Sequence, residues 1–471
     1  MINVIDGAGL ADRDALDRWT SGWPELRAAL SPITPEIATV RCGVPPERIR
    51  ALALDFARAP RAAAMGRIGL CRGRFPTLTN VLLHALNIVA GKFHKRGCAG
   101  FGHGATDSGD MLDAAGMAGY TPGASRTSGL PAVVGSLPSV TLYDELTQPA
   151  PGRTRALLVS GSNAVMSMPG GPRLPDAFEQ LELMFALDIY VTETNRHAHY
   201  ILPATTMLER DDAPILFGGH MVRPFMQYCP AAVAPRGEAR VENDILRDIA
   251  ERMGLAEAFG TLSPVEAADM LLRTGPEGDN GPARLSIEKL LANPHGVMLE
   301  SGRWAFRLED KIRHADGLIH LFDPPIAGEI GRLLADPAPV PGILRLFNLR
   351  KLRSINSWMH NVEKLVRSDG PRLLIHPADA AAHGVTDESE VEVSTRWGAI
   401  VVVAHVTEDV TPGSVAYPHG WGHNGGWSRA NGTGGANLNA ITPATADAVE
   451  QVSGMSFLDG FEVELRRLEV P

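Results

Sequence analysis

Ala156-Leu157-Leu158-Val159-Ser160-Gly161-Ser162-Asn163 is an apolar run that stops at a glycine and two small polar residues. Such a run suits a parallel strand covered on both faces, with its loop at the carboxyl edge of a sheet. Gly161-Ser162-Asn163 then offers backbone N–H groups, a hydroxyl and an amide, a set suited to phosphate or ribose. Strand-ending turns of this composition are also common without a ligand, so the run speaks to the fold class before it speaks to a site.

Outward from it, residues 175–187 read as the following helix and Asp188-Ile189-Tyr190-Val191-Thr192 as the next strand. Tyr200-Ile201-Leu202 reads as a third, short strand. This is the grammar of an open α/β sheet, in which ligands gather at strand carboxyl ends. Asp188 and Thr192 stand four apart across the second strand. A carboxylate there suits the paired N–H groups of a guanine edge, and its plain alternative is a turn cap. Glu193, Asn195 and Glu209 read as residues that orient loops, not as reacting groups.

Toward the N-terminus, Pro45-Pro46-Glu47 starts a helix with Ile49, Leu52, Ala53 and Phe56 on one face, ending before Pro60. Residues 63–70 read as a buried strand, 77–90 as a second amphipathic helix closed by Gly91, and 97–135 as a long Gly-rich irregular loop. Toward the C-terminus, Pro324-Pro325 and the Pro-rich run 336–341 mark a linker. Beyond it come short strands at 373–375, 391–393, 399–406 and 414–417, a short helix at 377–382, and tight turns at Gly398 and Pro412-Gly413. That texture predicts a small β-barrel.

At 471 residues, with 44% hydrophobic and 21% charged, the chain has room for about two to four ordinary globular domains. A net charge of −10 argues against nucleic acid as a partner, because no basic stripe is available to neutralise phosphates. The local basic spot His94-Lys95-Arg96 suits only a small anion. Cys42, Cys71, Cys98 and Cys229 are far apart, with no spacing for zinc or an iron–sulfur cluster, and read as reduced, partly buried thiols. No apolar run reaches membrane-spanning length, and residues 1–10 lack the basic start of a secretory signal, so a cytoplasmic location is expected.

Several motifs are missing. Gly91-Lys92 is followed by Phe93, so there is no P-loop, and no strand leads into a G-x-G-x-x-G turn, which disfavours a nicotinamide dehydrogenase. No G-x-S-x-G elbow or H-E-x-x-H helix occurs. His197 and His199 face one side if extended, but with no third ligand nearby they read as ordinary hydrogen-bonded histidines, and no protein metal ligand is assigned. What the chain does have is polar loops. Arg353-Ser354-Ile355-Asn356-Ser357-Trp358-Met359-His360-Asn361 packs donors and acceptors around two large apolar side chains. His419-Gly420-Trp421-Gly422-His423 combines close-approach glycines with a stacking face, and Gly434-Gly435-Ala436-Asn437-Leu438-Asn439 adds amides. Together with the loop at 161–163 they favour one large polar ligand.

These loops resemble those of the molybdopterin oxidoreductases of the dimethyl-sulfoxide-reductase superfamily, which includes formate dehydrogenases and nitrate reductases. The resemblance rests on Ser160 to Asn163, on Asp188 to Thr194 followed by Tyr200-Ile201-Leu202-Pro203, on Asn356 to Asn361, and on Pro418 to Trp421 with Ala436-Asn437, in the family's order. It implies open Rossmann-like α/β domains followed by a double-psi-like β-barrel. The expected organisation is a partial α/β domain over 1–150, an α/β dinucleotide-binding domain over 151–325, a linker over 326–345 and a molybdopterin-dinucleotide-binding barrel over 346–471. It further implies a bis(molybdopterin guanine dinucleotide) cofactor with molybdenum or tungsten, and two-electron chemistry on a small-molecule substrate. Gly161, Ser162 and Asn163 would touch a dinucleotide, and Asp188 and Thr192 its guanosine. Ser354, Asn356, His360, Asn361, His419, Gly420, Trp421 and Asn437 would complete the cofactor contacts from the barrel.

The departures are specific. Relatives carry an N-terminal cysteine motif for a [4Fe–4S] cluster and then a Cys, selenocysteine or Ser on the metal, and neither is located here. Met1 resembles a point well inside a family member. Lys92 and His94 stand where relatives tend to have Asn and Asp. The expectation is therefore a cofactor-binding part that carries no iron–sulfur cluster of its own and works with a companion chain bearing one. The alternative is a non-catalytic cofactor- or partner-binding protein derived from the family.

Overall fold

A computed structural model of the chain describes every residue except 103, 217–220, 222, 261, 300–307, 367–369, 427 and 469–471. It divides into two compact units. One comprises residues 1–101, 306–345 and 449–460, the other residues 102–305, 346–448 and 461–471. In chain order the strands before the barrel are β1 (Thr20–Ser21), β2 (Tyr120–Ala124), β3 (Pro131–Val133), β4 (Ala156–Ser160), β5 (Leu183–Asp188), β6 (Tyr200–Pro203), β7 (Phe225–Met226), β8 (Val297–Met298) and β9 (Ile319–His320). The barrel strands are β10 (Leu344–Leu349), β11 (Leu373–Ile375), β12 (Glu390–Thr395), β13 (Gly398–Val406), β14 (Ser414–Pro418) and β15 (Phe461–Arg467).

The first unit is mainly helical, around a core that includes Ile5, Leu26, Ala53, Leu78, Val89 and Ile330. Helices Pro46–Arg58 and Pro76–Val89 form as read, each with proline in its first turn, where its missing N–H costs nothing. Residues 63–70 are not a buried strand. Only a 3₁₀ turn, Ile68–Cys71, lies there, and Met65 and Ile68 are exposed. Among the described residues no strand lies beside the run, and the Ala64 N–H and carbonyl are bonded by the Asn87 side chain instead of a ladder. Much of the stretch read as a linker is helix Pro324–Ala335, which buries Ile326 and Ile330 one turn apart in this same core. All four cysteines are free thiols, with Cys42 and Cys229 exposed and not partly buried as expected.

In the second unit β4, β5 and β6 form a parallel sheet in that order, registered by Ala156↔Leu183 and Phe185↔Tyr200. The first strand is where the sequence puts it. The next is not: helix Leu174–Phe178 is short, residues 183–188 are β5, and 189–192 form the turn after it. Leu183 to Leu187 are all apolar, so residue type carries no alternation to tell strand from helix, although in the fold Met184 and Ala186 are buried and Leu183 is exposed. Residues 97–135 are also more ordered than a loop. Asp107 caps helix Ser108–Ala114 by accepting from the Gly109 and Asp110 N–H groups, and β2 pairs antiparallel with β3.

The C-terminal region closes into a six-stranded barrel of order β10-β14-β11-β13-β12-β15, as the short strands and tight turns predict. β13 alternates faithfully, with Ile400, Val402 and Ala404 inward and their neighbours more exposed. It pairs antiparallel with β12 over six residue pairs and parallel with β11. The loops leaving β10 and β14 carry the polar segments 353–361 and 419–423.

Candidate functional site

The site is built in the second unit, where the loops after β4 and β5 meet the loops after β10 and β14. Gly161, at φ +54°, donates its N–H to Leu187 O at 2.9 Å and ties the end of β4 to that of β5. Asn163 continues the connection. Its Nδ2 donates to Glu193 Oε2 at 2.7 Å, and its Oδ1 accepts from Thr194 Oγ1 at 2.9 Å. Thr194 Oγ1 in turn accepts the Val165 N–H at 2.9 Å. Ser160 Oγ donates to Glu242 Oε1 at 2.8 Å, and Arg210 reaches the other oxygen of Glu242 at 3.2 Å.

Glu193 is the hub. Its Oε1 faces His423 Nδ1 at 2.9 Å and accepts the Asn424 N–H at 3.1 Å. Burial pushes this carboxyl upward, but the hydrogen bonds from His423 and Asn163 outweigh it and hold the group at about 2. His423 Nε2 lies 3.0 Å from His360 Nδ1, and the His360 ring packs 4.3 Å from that of Trp421. Arg196 Nη1 donates to Gly425 O at 3.0 Å. A Cβ on Gly425 would stand 1.6 Å from that nitrogen, and one on Gly426 would stand 2.9 Å from the Glu193 carboxylate. Glycine is what lets the β14 loop come this close.

Asp188 and Thr192 do not face each other across a strand, because β5 ends at Asp188. They meet through Asn195 instead. Asn195 Nδ2 donates to Asp188 Oδ2 at 3.1 Å, while its Oδ1 accepts the Thr192 N–H at 2.7 Å. Asp188 Oδ1 accepts the Ile189 N–H at 2.7 Å, which is the turn cap named as its alternative. Burial raises the Asp188 carboxyl above its ordinary range, more than these N–H groups lower it, and Glu242 adds to the rise.

On the barrel side, Ser354 is buried and its carbonyl accepts the Met359 N–H at 3.1 Å, closing the loop. Ile355 and Asn356 are both left-handed, at φ +41° and +63°. For a β-branched residue that costs about 1–2 kcal/mol, so the surrounding packing holds the loop in this shape. Asn356 Oδ1 accepts a hydrogen bond from Arg350 Nη2 at 2.6 Å, and the Asn356 carbonyl lies against Gly420, where a Cβ would stand 2.5 Å away. His419 is buried, with its N–H on Leu349 O at 3.2 Å. A Cβ on Gly422 would sit 2.3 Å from Asn437 N. Asn437 Nδ2 donates to Val165 O at 2.9 Å and Asn439 Nδ2 to Met166 O at 2.7 Å, which seats this loop on the one after β4.

The structure thus gathers Asn163, His360, Gly420, Trp421 and Asn437 into one connected group. Gly161 and Ser162 stay exposed at its edge, and Asn356 contributes backbone while its side chain serves Arg350. His199 Nδ1 accepts the Met184 N–H at 2.9 Å, an ordinary structural role. Sequence reasoning reads Glu193 and Asn195 as orienting residues, includes His423 and Asn439 only as members of polar loops, and gives Arg196 and Glu242 no part. Arg196 and Glu242 carry no local signal, whereas His423 and Asn439 stand in the polar loops 419–423 and 434–439. Trp421 Nε1 and Asn361 Oδ1 are buried with no hydrogen-bond partner among the described residues. Buried polar atoms left in this way fit a polar ligand, as does a backbone opened by glycines at 420 and 422.

Two family models match parts of the chain in this order. One described as molybdopterin oxidoreductase matches residues 73–252, and one described as molydopterin dinucleotide binding domain matches residues 344–456. The chain belongs to the molybdopterin oxidoreductase family, within the dimethyl-sulfoxide-reductase superfamily. It is 26% identical to trimethylamine-N-oxide reductase of Haemophilus influenzae, over 89% of this chain and 56% of that protein. It is 25% identical to the F420-dependent formate dehydrogenase 1 subunit alpha of Methanococcus maripaludis, over 89% of this chain and 62% of that one. The chain therefore spans 56% and 62% of the length of these two curated relatives. Among solved structures, acetylene hydratase from Pelobacter acetylenicus superposes with a TM-score of 0.78 at 19% identity, over 99% of this chain and 69% of that one, and so shares the fold. Among the described residues no helix is long and apolar enough to cross a membrane.

Proposed function

We propose that this chain is the cofactor-binding part of a molybdenum- or tungsten-dependent oxidoreductase that acts on a small molecule. The cofactor is a bis(molybdopterin guanine dinucleotide), and when bound it supplies the two-electron redox chemistry. The observation that carries this reading is the connection Asn163–Glu193–His423–His360, which joins the carboxyl end of a parallel sheet to the barrel. Gly161, Ser162, Asn163, Asp188 and Thr192 would hold dinucleotide phosphate and guanosine. Ser354, Asn356, His360, Asn361, His419, Gly420, Trp421 and Asn437 would hold the pterin side, with buried Trp421 keeping water from it. A companion chain with a [4Fe–4S] cluster and the metal's protein ligand belongs to the same reading.

The test is chemical. The full chain, produced in a host that makes the cofactor, should release guanosine monophosphate on acid hydrolysis and carry molybdenum or tungsten by elemental analysis. Neither nucleotide nor metal would overturn the reading. Dye-linked turnover should appear only with a cluster-bearing companion. Nucleotide bound without turnover under any pairing would favour the non-catalytic alternative.

A further inference from the structure

The buried histidine pair has a hydrogen count that follows from its geometry. His423 presents Nδ1 to Glu193 Oε1 at 2.9 Å and Nε2 to His360 Nδ1 at 3.0 Å. An ionised carboxylate only accepts, so His423 Nδ1 carries a hydrogen. Between the two ring nitrogens there is room for one hydrogen. In the uncharged pair His423 Nε2 is bare, His360 Nδ1 carries the shared hydrogen, and His360 Nε2 is an acceptor. Adding one proton places a hydrogen on His360 Nε2 whichever ring formally holds the charge, because the shared hydrogen sits on either side of the contact. A second proton would set N–H against N–H and break it.

We infer that Glu193, His423 and His360 form a one-proton relay whose outer atom, His360 Nε2, changes from acceptor to donor when that proton arrives. The side chains of Glu193 and His423 are 6% and 4% exposed and His360 is 1% exposed, so the change takes place out of water, where a mismatched hydrogen bond is costly. A ligand edge that offers an N–H suits the uncharged relay, and an edge that offers a lone pair suits the protonated one. Glu193 and His423 are thus positioning residues for His360. Their role toward a pterin heterocycle rests on the cofactor reading above, whereas the proton count does not. Among the described residues the charged groups bonded at the relay include Glu193, which favours the added proton, and Arg196 at Gly425, which opposes it. Arg350, bonded to Asn356, and His419 lie on the same two barrel loops.

Long-range ¹H–¹⁵N correlation of the histidine rings in the full chain, followed from pH 9 to pH 5, tests this. The relay requires His423 Nδ1 protonated throughout, uptake of one proton by the two rings together, and conversion of His360 Nε2 from a bare to a protonated nitrogen. In E193A nothing holds a hydrogen on His423 Nδ1, so the single His423 tautomer should give way to a mixture; E193Q is less useful, because the Asn424 N–H keeps an amide oxygen turned toward His423. A bare His423 Nδ1, two separate protonations with the rings still in contact, or an unmixed tautomer in E193A would overturn the relay. If E193A does not fold, the wild-type tautomers still decide. Guanine nucleotide content, measured on the same samples, reports on the cofactor reading alone: no nucleotide with the tautomers intact would sink that reading and leave the relay standing.

Discussion

Residues 91–97 (Gly-Lys-Phe-His-Lys-Arg-Gly) and 419–426 (His-Gly-Trp-Gly-His-Asn-Gly-Gly) are both short, polar and punctuated by glycine. They differ in where their polar groups go. In the first loop Lys92 Nζ donates to Ala57 O at 2.9 Å, Lys95 Nζ reaches Asp12 at 2.9 Å, and the backbone closes on itself through Ala99 N to Lys92 O. Those partners are all supplied by the helical unit that carries the loop. In the second loop His423 and Asn424 reach Glu193, some 230 residues away in sequence, and through it Asn163 at the end of β4. Polar density alone does not mark a ligand loop. What separates the two is the convergence of distant loops on the second.

Gly420 is where the two loops should differ most under mutation. Its φ is +88°, and a Cβ there would stand 2.5 Å from the Asn356 carbonyl oxygen, so there is no room for a side chain. G420A should cost about 2–3 kcal/mol in urea unfolding and abolish cofactor retention. G434A is the control: its φ is +72° but nothing lies within 4 Å, so only backbone strain of about 1–2 kcal/mol should appear. Equal losses would show that the docking of 356 against 420 carries no weight.

Next comes the hub. E193A leaves Asn163, His423 and the Asn424 N–H without their acceptor in a buried setting, and should cost about 2–3 kcal/mol. D12A in the first unit removes a helix cap and an exposed ion pair, and should cost about 1 kcal/mol. Denaturant midpoints of the two variants set the two loops side by side.

The acid response follows from Glu193. Its folded value of about 2 lies below the ordinary 4.5, so its contribution is fully present above about 4.5 and is lost as pH falls toward 2. Tryptophan fluorescence of the barrel loops should hold steady at pH 4 and change only below it, and E193Q should remove that late change. A transition centred at pH 4 to 5 in the wild-type chain would contradict the assignment. The smallest effect is expected at Lys95. Its ion pair with Asp12 is exposed, so K95A should shift stability by no more than about 0.5 kcal/mol.

Legibility in the sequence tracks how local each cause is. Proline-started helices, the strand at 156–160 and the barrel strands β11 to β14 are written in neighbouring residues and lie near the bounds the sequence predicts. Strand β5 starts five residues before the predicted strand because apolar residues lie on both sides of Asp188, at 183–187 and 189–191, and pairing with β4 and β6 decides which part extends. Residues 63–70 depart in the opposite sense, with apolar residues but no partner strand among the described residues. The site follows the same rule. Asn163 and Asn437 are legible as polar residues close to glycines and His360 as part of a dense polar run, but the Glu193–His423 contact is a property of the folded chain and leaves no spacing to read.

Whether the three polar loops converge on one cofactor is decided by hydrogen–deuterium exchange of the full chain, prepared with cofactor and from a host unable to make it. Added protection is expected with cofactor at residues 160–163, 354–361 and 419–423, and none at 91–97. Equal protection at 91–97, or no change at the three converging loops, would contradict that convergence.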